Sequence, residues 1–94
     1  MRDNPLHNEL SSLSDRHSTL EGVLERIVFF NEENSFTVAR LQVSGKQDLV
    51  TIVGSLSLPT PGETLRLKGQ WVVDTKFGQQ FRVEAVSQYY QLLS

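Results

Sequence analysis

The strongest constraint on the fold is how little chain separates the apolar runs. From Leu20 onward, β-branched and aromatic residues collect in runs of six to eleven residues bounded by Gly, Pro, Asn and Asp, the pattern of successive strands. Five strands are predicted, at about 20–30, 36–43, 49–54, 64–73 and 79–86. Three of the four connections are about four to five residues long. They suit antiparallel hairpins and are too short for the crossover a parallel pair needs. Only SLSLPTPGE at 55–63 is longer, and its two prolines leave room for no more than a turn of helix.

Alternation assigns faces within these strands. In 64–73, Leu65, Leu67, Trp71 and Val73 point one way with Gly69 in the remaining slot, while Arg66, Lys68 and Gln70 point the other. Phe81, Val83 and Ala85 are expected inward, with Arg82 and Glu84 outward. In 36–43, Thr37, Ala39, Leu41 and Val43 share a face opposite Phe36 and Val38. Five antiparallel strands leave two open sheet edges unless the sheet curls shut. Gly22, inside the long first strand, marks a bend that would let that strand serve both halves of a closed sheet. The expected class is therefore all-β, a small five-stranded antiparallel barrel like the OB-fold, with an SH3-like barrel as the alternative.

At 94 residues the chain suits one domain, which buries roughly two-thirds of its unfolded surface. The barrel is placed at 19–88, after a polar, unstructured extension at 1–18 in which Leu6, Leu10 and Leu13 alone suggest a short helical face. Tyr89, Tyr90, Leu92 and Leu93 are apolar residues just past the last strand, so 89–94 reads as the start of a linker to a following domain. A formal net charge of −2 spread along the chain gives no global positive field for nucleic acid. There is no cysteine, which excludes disulfides and thiolate metal sites. The start carries no apolar signal segment and the chain has no long apolar run; the cytoplasm is the expected compartment, with no membrane partner.

Chemistry is sparse. Gly45-Lys46 echoes the end of a phosphate-binding loop, but Arg40 stands where the earlier glycine belongs and Gln47 where the hydroxyl belongs, so the pair reads as a turn. His7 and His17 lack spaced partners for a metal and are expected solvated. Serines are numerous, but no nucleophile elbow surrounds one. No catalytic residue, metal ligand, cofactor or small-molecule substrate is expected in this segment.

Binding is better supported, because OB barrels hold oligonucleotides across strands two and three, between the loops joining strands one to two and four to five. In DTKFGQQ at 74–80, Lys76 lies beside Phe77, a ring on which a base can stack. With Arg40 and Lys46, the candidate nucleic-acid residues offer about three phosphate contacts, hence a log–log salt slope of only about −2 for a single strand. The other loop, NEENS at 31–35, carries Glu32 and Glu33, which repel phosphate and suit docking on a basic partner surface.

The blocks ERIVFFNEENSFTVARLQV, VTIVGSLSLPTPGETLRLKGQW and KFGQQFRVEA, in this order over 20–90, resemble the N-terminal domain of the N-terminally extended bacterial RecD-like DNA helicases. The resemblance rests on Asn31, Glu33, Asn34, Phe36, Thr37 and Val38 at the tip, Pro61, Gly62 and Glu63 at the turn, and Phe77, Gly78, Gln80 and Phe81 in the last hairpin. Where the family carries a glycine, this chain has Ser35, at a position expected to need a positive φ. The resemblance implies a non-catalytic accessory domain of an enzyme that uses ATP and Mg to move 5′ to 3′ on single-stranded DNA in repair. By the same resemblance the motor lies in further domains, on which this barrel would dock while guiding DNA weakly. The alternatives are a stand-alone single-strand-binding module and a purely structural interaction barrel.

Overall fold

The computed structural model describes residues 17–57 and 59–90, the side chains of 87–90 excepted. Five strands, β1 (Ser18–Phe30), β2 (Phe36–Gln42), β3 (Val50–Ser55), β4 (Thr64–Asp74) and β5 (Gly78–Tyr90), form a closed barrel in the order β1-β2-β3-β5-β4. That is an OB-fold barrel, and no helix occurs among the described residues.

Closure depends on the two devices the sequence suggested and one it did not. β1 pairs antiparallel with β4 over 18–23 and with β2 over 23–30, changing partners at Val23, next to Gly22. A Cβ on Gly22 would lie 2.5 Å from the Gln42 carbonyl oxygen and 2.9 Å from Leu41 Cγ, so only glycine lets β1 pass this close to β2. The third device is a short parallel pairing of β3 with β5, at Ile52 with Phe81 and Val53 with Arg82. The expectation of an all-antiparallel barrel is corrected at this one seam. The chain reaches it through the 55–63 link and β4, a detour long enough for a parallel return.

The interior is filled from every strand, by Leu20 and Leu24, Ala39 and Leu41, Val50 and Ile52, Leu65 and Leu67, and Phe81 and Val83. Thr37 is fully buried on the same face and its hydroxyl donates to the Ser35 carbonyl at 3.0 Å, which satisfies the group that burial would otherwise penalise. One end of the barrel is closed by the link itself, through Leu56 (2% exposed) and buried Pro59. Its Thr60-Pro61-Gly62-Glu63 turn has Gly62 at φ 93, and Glu63 N donates to Thr60 O at 3.0 Å, the demands of a type II turn. Gly62 N donates in turn to Leu24 O, and Leu24 N to Glu63 O, which sews the turn to β1.

Two assignments of facing need correction. Ala85 is exposed and Val86 packs on the core instead, because β5 carries an extra residue between the partners of Lys68 and Gly69, and another between those of Arg66 and Leu67. A bulge of one residue reverses the faces beyond it. Val73 is 78% exposed, since β4 and β5 continue as a two-stranded hairpin past the end of β3, with no barrel interior left to face. His17, expected solvated, is 55% exposed, with Nδ1 2.9 Å from Glu84 Oε1. β5 itself runs on to Tyr90, whose backbone pairs with Thr64. Residues 1–16 and 91–94, including His7 and the Leu6, Leu10 and Leu13 pattern, lie outside the described residues.

Candidate nucleic-acid interface

Two hydrogen-bonded tips bracket the outer face of β2 and β3. The NEENS tip is held by side chains that imitate backbone turns: Glu33 N donates to Asn31 Oδ1 at 2.8 Å and Phe36 N to Asn34 Oδ1 at 3.0 Å. Ser35 takes φ 63, the positive value expected where the family has glycine. Its carbonyl also accepts from Leu56 N at 3.1 Å, and Ser55 Oγ donates to Asn34 O at 3.3 Å, so the tip is tied to the end of β3. Glu32 and Glu33 on it are exposed.

At the other tip, Asp74 organises the β4–β5 hairpin. One carboxylate oxygen accepts from Lys76 N at 2.9 Å and Phe77 N at 2.7 Å, and Gly78 supplies φ 83, the positive angle that ends a three-residue hairpin loop. The Phe77 ring stands out in solvent, 71% exposed, with Lys76 Nζ 5.7 Å from its ring centroid. It does not fold over the core.

Pairing shows how far apart the tips are. Phe36 of β2 faces Ser55 of β3 at the NEENS end, whereas Leu41 faces Val50 at the other, and the β3–β5 seam brings the start of β5 toward that second end. Five residues of strand span about 17 Å. Physiological salt screens charge over about 8 Å, so the two glutamates do not cancel cations at the hairpin end.

Phe77 stands between two clefts. The first, about 380 Å³, lies on the β2–β3 face and is bounded by Phe29, Val38, Arg40, Thr51, Phe77 and Gln80. Arg40 is half-buried there, and its Nε is inaccessible and without a hydrogen-bond partner. The second, about 530 Å³, lies between the turn after β2 and the hairpin, where Lys46, Asp48, Thr51, Trp71, Phe77 and Gln79 contribute to its walls. Lys46 Nζ is 5.4 Å from the Trp71 ring centroid, and the Trp71 ring meets Phe81 edge-on at 5.1 Å and 75°.

The structure thus brings Arg40, Lys46 and Phe77 around one rim, with Lys76 beside Phe77, and leaves Glu32 and Glu33 on a separate tip. Sequence reasoning missed Trp71, assigned to the core, and the exposed pair Phe29 and Phe36, whose rings are 6.3 Å apart. One signal for Trp71 was present: β4 has 11 residues against 6 for β3, so its far end has to overhang the barrel. Gly45, at φ 87, and Lys46, whose N–H donates to Val43 O at 3.1 Å, form a tight turn and no phosphate cradle. Among the described residues, no three His, Cys, Asp or Glu side chains cluster to hold a metal, and no helix is long and apolar enough to cross a membrane.

Neither the curated proteins nor the solved structures contain a significant match to this chain. Residues 17–90 match the family model described as the OB-fold domain of the ATP-dependent DNA helicase YrrC, and the chain belongs to that family.

Proposed function

We propose that this barrel is a non-catalytic accessory domain of a RecD-like helicase that moves 5′ to 3′ on DNA, and that it guides a single strand across the β2–β3 face past Phe77. The observation that carries the reading is the solvent-exposed Phe77 ring between Arg40 and Lys46. Stacking of one base on such a ring is worth roughly 1–3 kcal/mol. Contact is weak, because few cations are available. In this reading the parent enzyme works in the cytoplasm on DNA under repair, and its ATP and Mg are bound by motor domains, since the Gly45-Lys46 turn does not fit a triphosphate.

The test is fluorescence anisotropy of labelled oligo-dT with this chain and with the full-length helicase, each with and without Lys76→Ala and Phe77→Ala. Expected are micromolar or weaker binding by the barrel, a log–log salt slope near about −2, and lower affinity in both variants. Unchanged affinity of the variant helicase would remove DNA guidance from this loop. Nanomolar binding by the barrel alone in physiological salt would favour a stand-alone binder.

A second reading rests on the NEENS tip. Two exposed carboxylates on a turn ordered by six hydrogen bonds suit docking onto a basic surface of a neighbouring domain or partner. Charge reversal at Glu32 and Glu33 tests it, through loss of ATPase or unwinding activity in the full-length enzyme without loss of the barrel's DNA binding.

A further inference from the structure

We infer that the cleft between Trp71 and Phe77 is a pocket for one unstacked nucleobase of a single strand, distinct from the β2–β3 face. The inference deepens the proposed DNA contact and rests on it. Phe77 and Thr51 border both clefts, so Phe77 is a partition on the path a strand would take off the β2–β3 face. Successive bases reaching it must part, one on each side.

Three observations favour a base over a phosphate in the larger cleft. Its volume, about 530 Å³, falls in the range of roughly 300–1,000 Å³ typical of small-ligand sites, and two aromatic rings contribute to its walls. Its charged groups are Lys46 and Asp48, which offset one another and leave no net positive cradle for a phosphate. Gln47, Thr51, Gln79 and Asp48 supply donors and acceptors that match the edge of a base, the carboxylate accepting from an exocyclic amino group.

Trp71 adds the stacking surface. Phe81 meets its ring edge-on and Lys46 lies over its face. An exposed cation–π contact is weaker than base stacking, so an arriving base displaces the flexible ammonium, which then turns to an adjacent phosphate. Lys46 is therefore a positioning residue that keeps the ring covered until a strand arrives.

Trp71 is the chain's sole tryptophan, so its emission reports the pocket in the unaltered protein. The experiment titrates the 94-residue chain with dA6, following binding by anisotropy of the labelled oligonucleotide and the pocket by Trp71 emission and its quenching by acrylamide, with AMP in parallel. Binding of dA6 is expected to quench Trp71 and to reduce its acrylamide quenching constant at least twofold, while AMP at the same concentration leaves both unchanged. Lys46→Ala should raise acrylamide quenching of the free protein and weaken dA6 several-fold; Gln79→Ala, at an exposed position, should weaken dA6 without altering free-protein quenching.

If dA6 binds by anisotropy while Trp71 emission and quenching stay the same, the strand uses only the β2–β3 face, and this inference fails with the DNA contact intact. If AMP protects Trp71 as well as dA6 does, the pocket belongs to a free nucleotide and the strand reading of it fails. If no oligonucleotide binds at millimolar concentration, the DNA contact and the pocket fall together.

Discussion

Replacing Gly22 with alanine tests the closure of the barrel at its narrowest place. The added Cβ would sit 2.5 Å from the Gln42 carbonyl oxygen and 2.9 Å from Leu41 Cγ, where ordinary contact begins near 3.4 Å. Leu41 is fully buried and cannot turn aside, and the oxygen belongs to the backbone of β2, so β1 has to move by the better part of an ångström. It would do so beside Val23, where it exchanges β4 for β2 as partner. Overpacking of this kind costs about 1–3 kcal/mol, while the stiffer unfolded chain of alanine returns about 0.4–1 kcal/mol. The net loss, about 1.3 kcal/mol at the middle of those ranges, lowers Tm by about 5–10 °C in a domain this small. Urea and thermal unfolding, followed by Trp71 emission and circular dichroism, measure it. Gly45→Ala is the control: nothing lies within 4 Å of its Cβ and φ is 87, so its loss is conformational and near about 1 kcal/mol. If Gly22→Ala unfolds within about 0.5 kcal/mol of the parent protein, or costs no more than Gly45→Ala, the steric account of closure is wrong.

Ser35→Gly should stabilise the chain by about 0.5 kcal/mol, because relief of the left-handed conformation at φ 63 exceeds the entropy glycine adds to the unfolded state; a drop in Tm would contradict this. Asp74→Ala removes the acceptor for two backbone N–H groups at the hairpin tip. A cost of about 1 kcal/mol, together with weaker oligo-dT binding as Phe77 loosens, is the expected pair of effects. Arg40→Met deletes a buried, unpartnered Nε while keeping most of the stem packing, so urea stability should hold or rise by up to about 1 kcal/mol while DNA affinity falls; lost stability with unchanged affinity would make Arg40 a structural residue.

The NEENS tip shows how directly some of this was written in the chain. Asn31 and Asn34 are turn formers that bond their own backbone two residues on, so the turn's local form is readable from the loop alone, and the strain at Ser35 could be named from its place in it. Strand positions and most facing followed from period-two alternation for the same reason. Ala85 and Val86 escaped this logic, because a bulge is visible only against the partner strand whose register it breaks.

What the sequence by itself determined is the set of local choices: five strands, three hairpins, their apolar faces, a glycine bend in the first strand and a cationic, aromatic final loop. Each follows from backbone chemistry and side-chain period over a few neighbouring residues. Only the tertiary structure decided that β3 meets β5 in parallel, that Trp71 emerges at the rim under Lys46, and that Phe77 divides two clefts. Those are distances between residues far apart in the chain, set when the curled sheet closes and its longer strands overhang the shorter one.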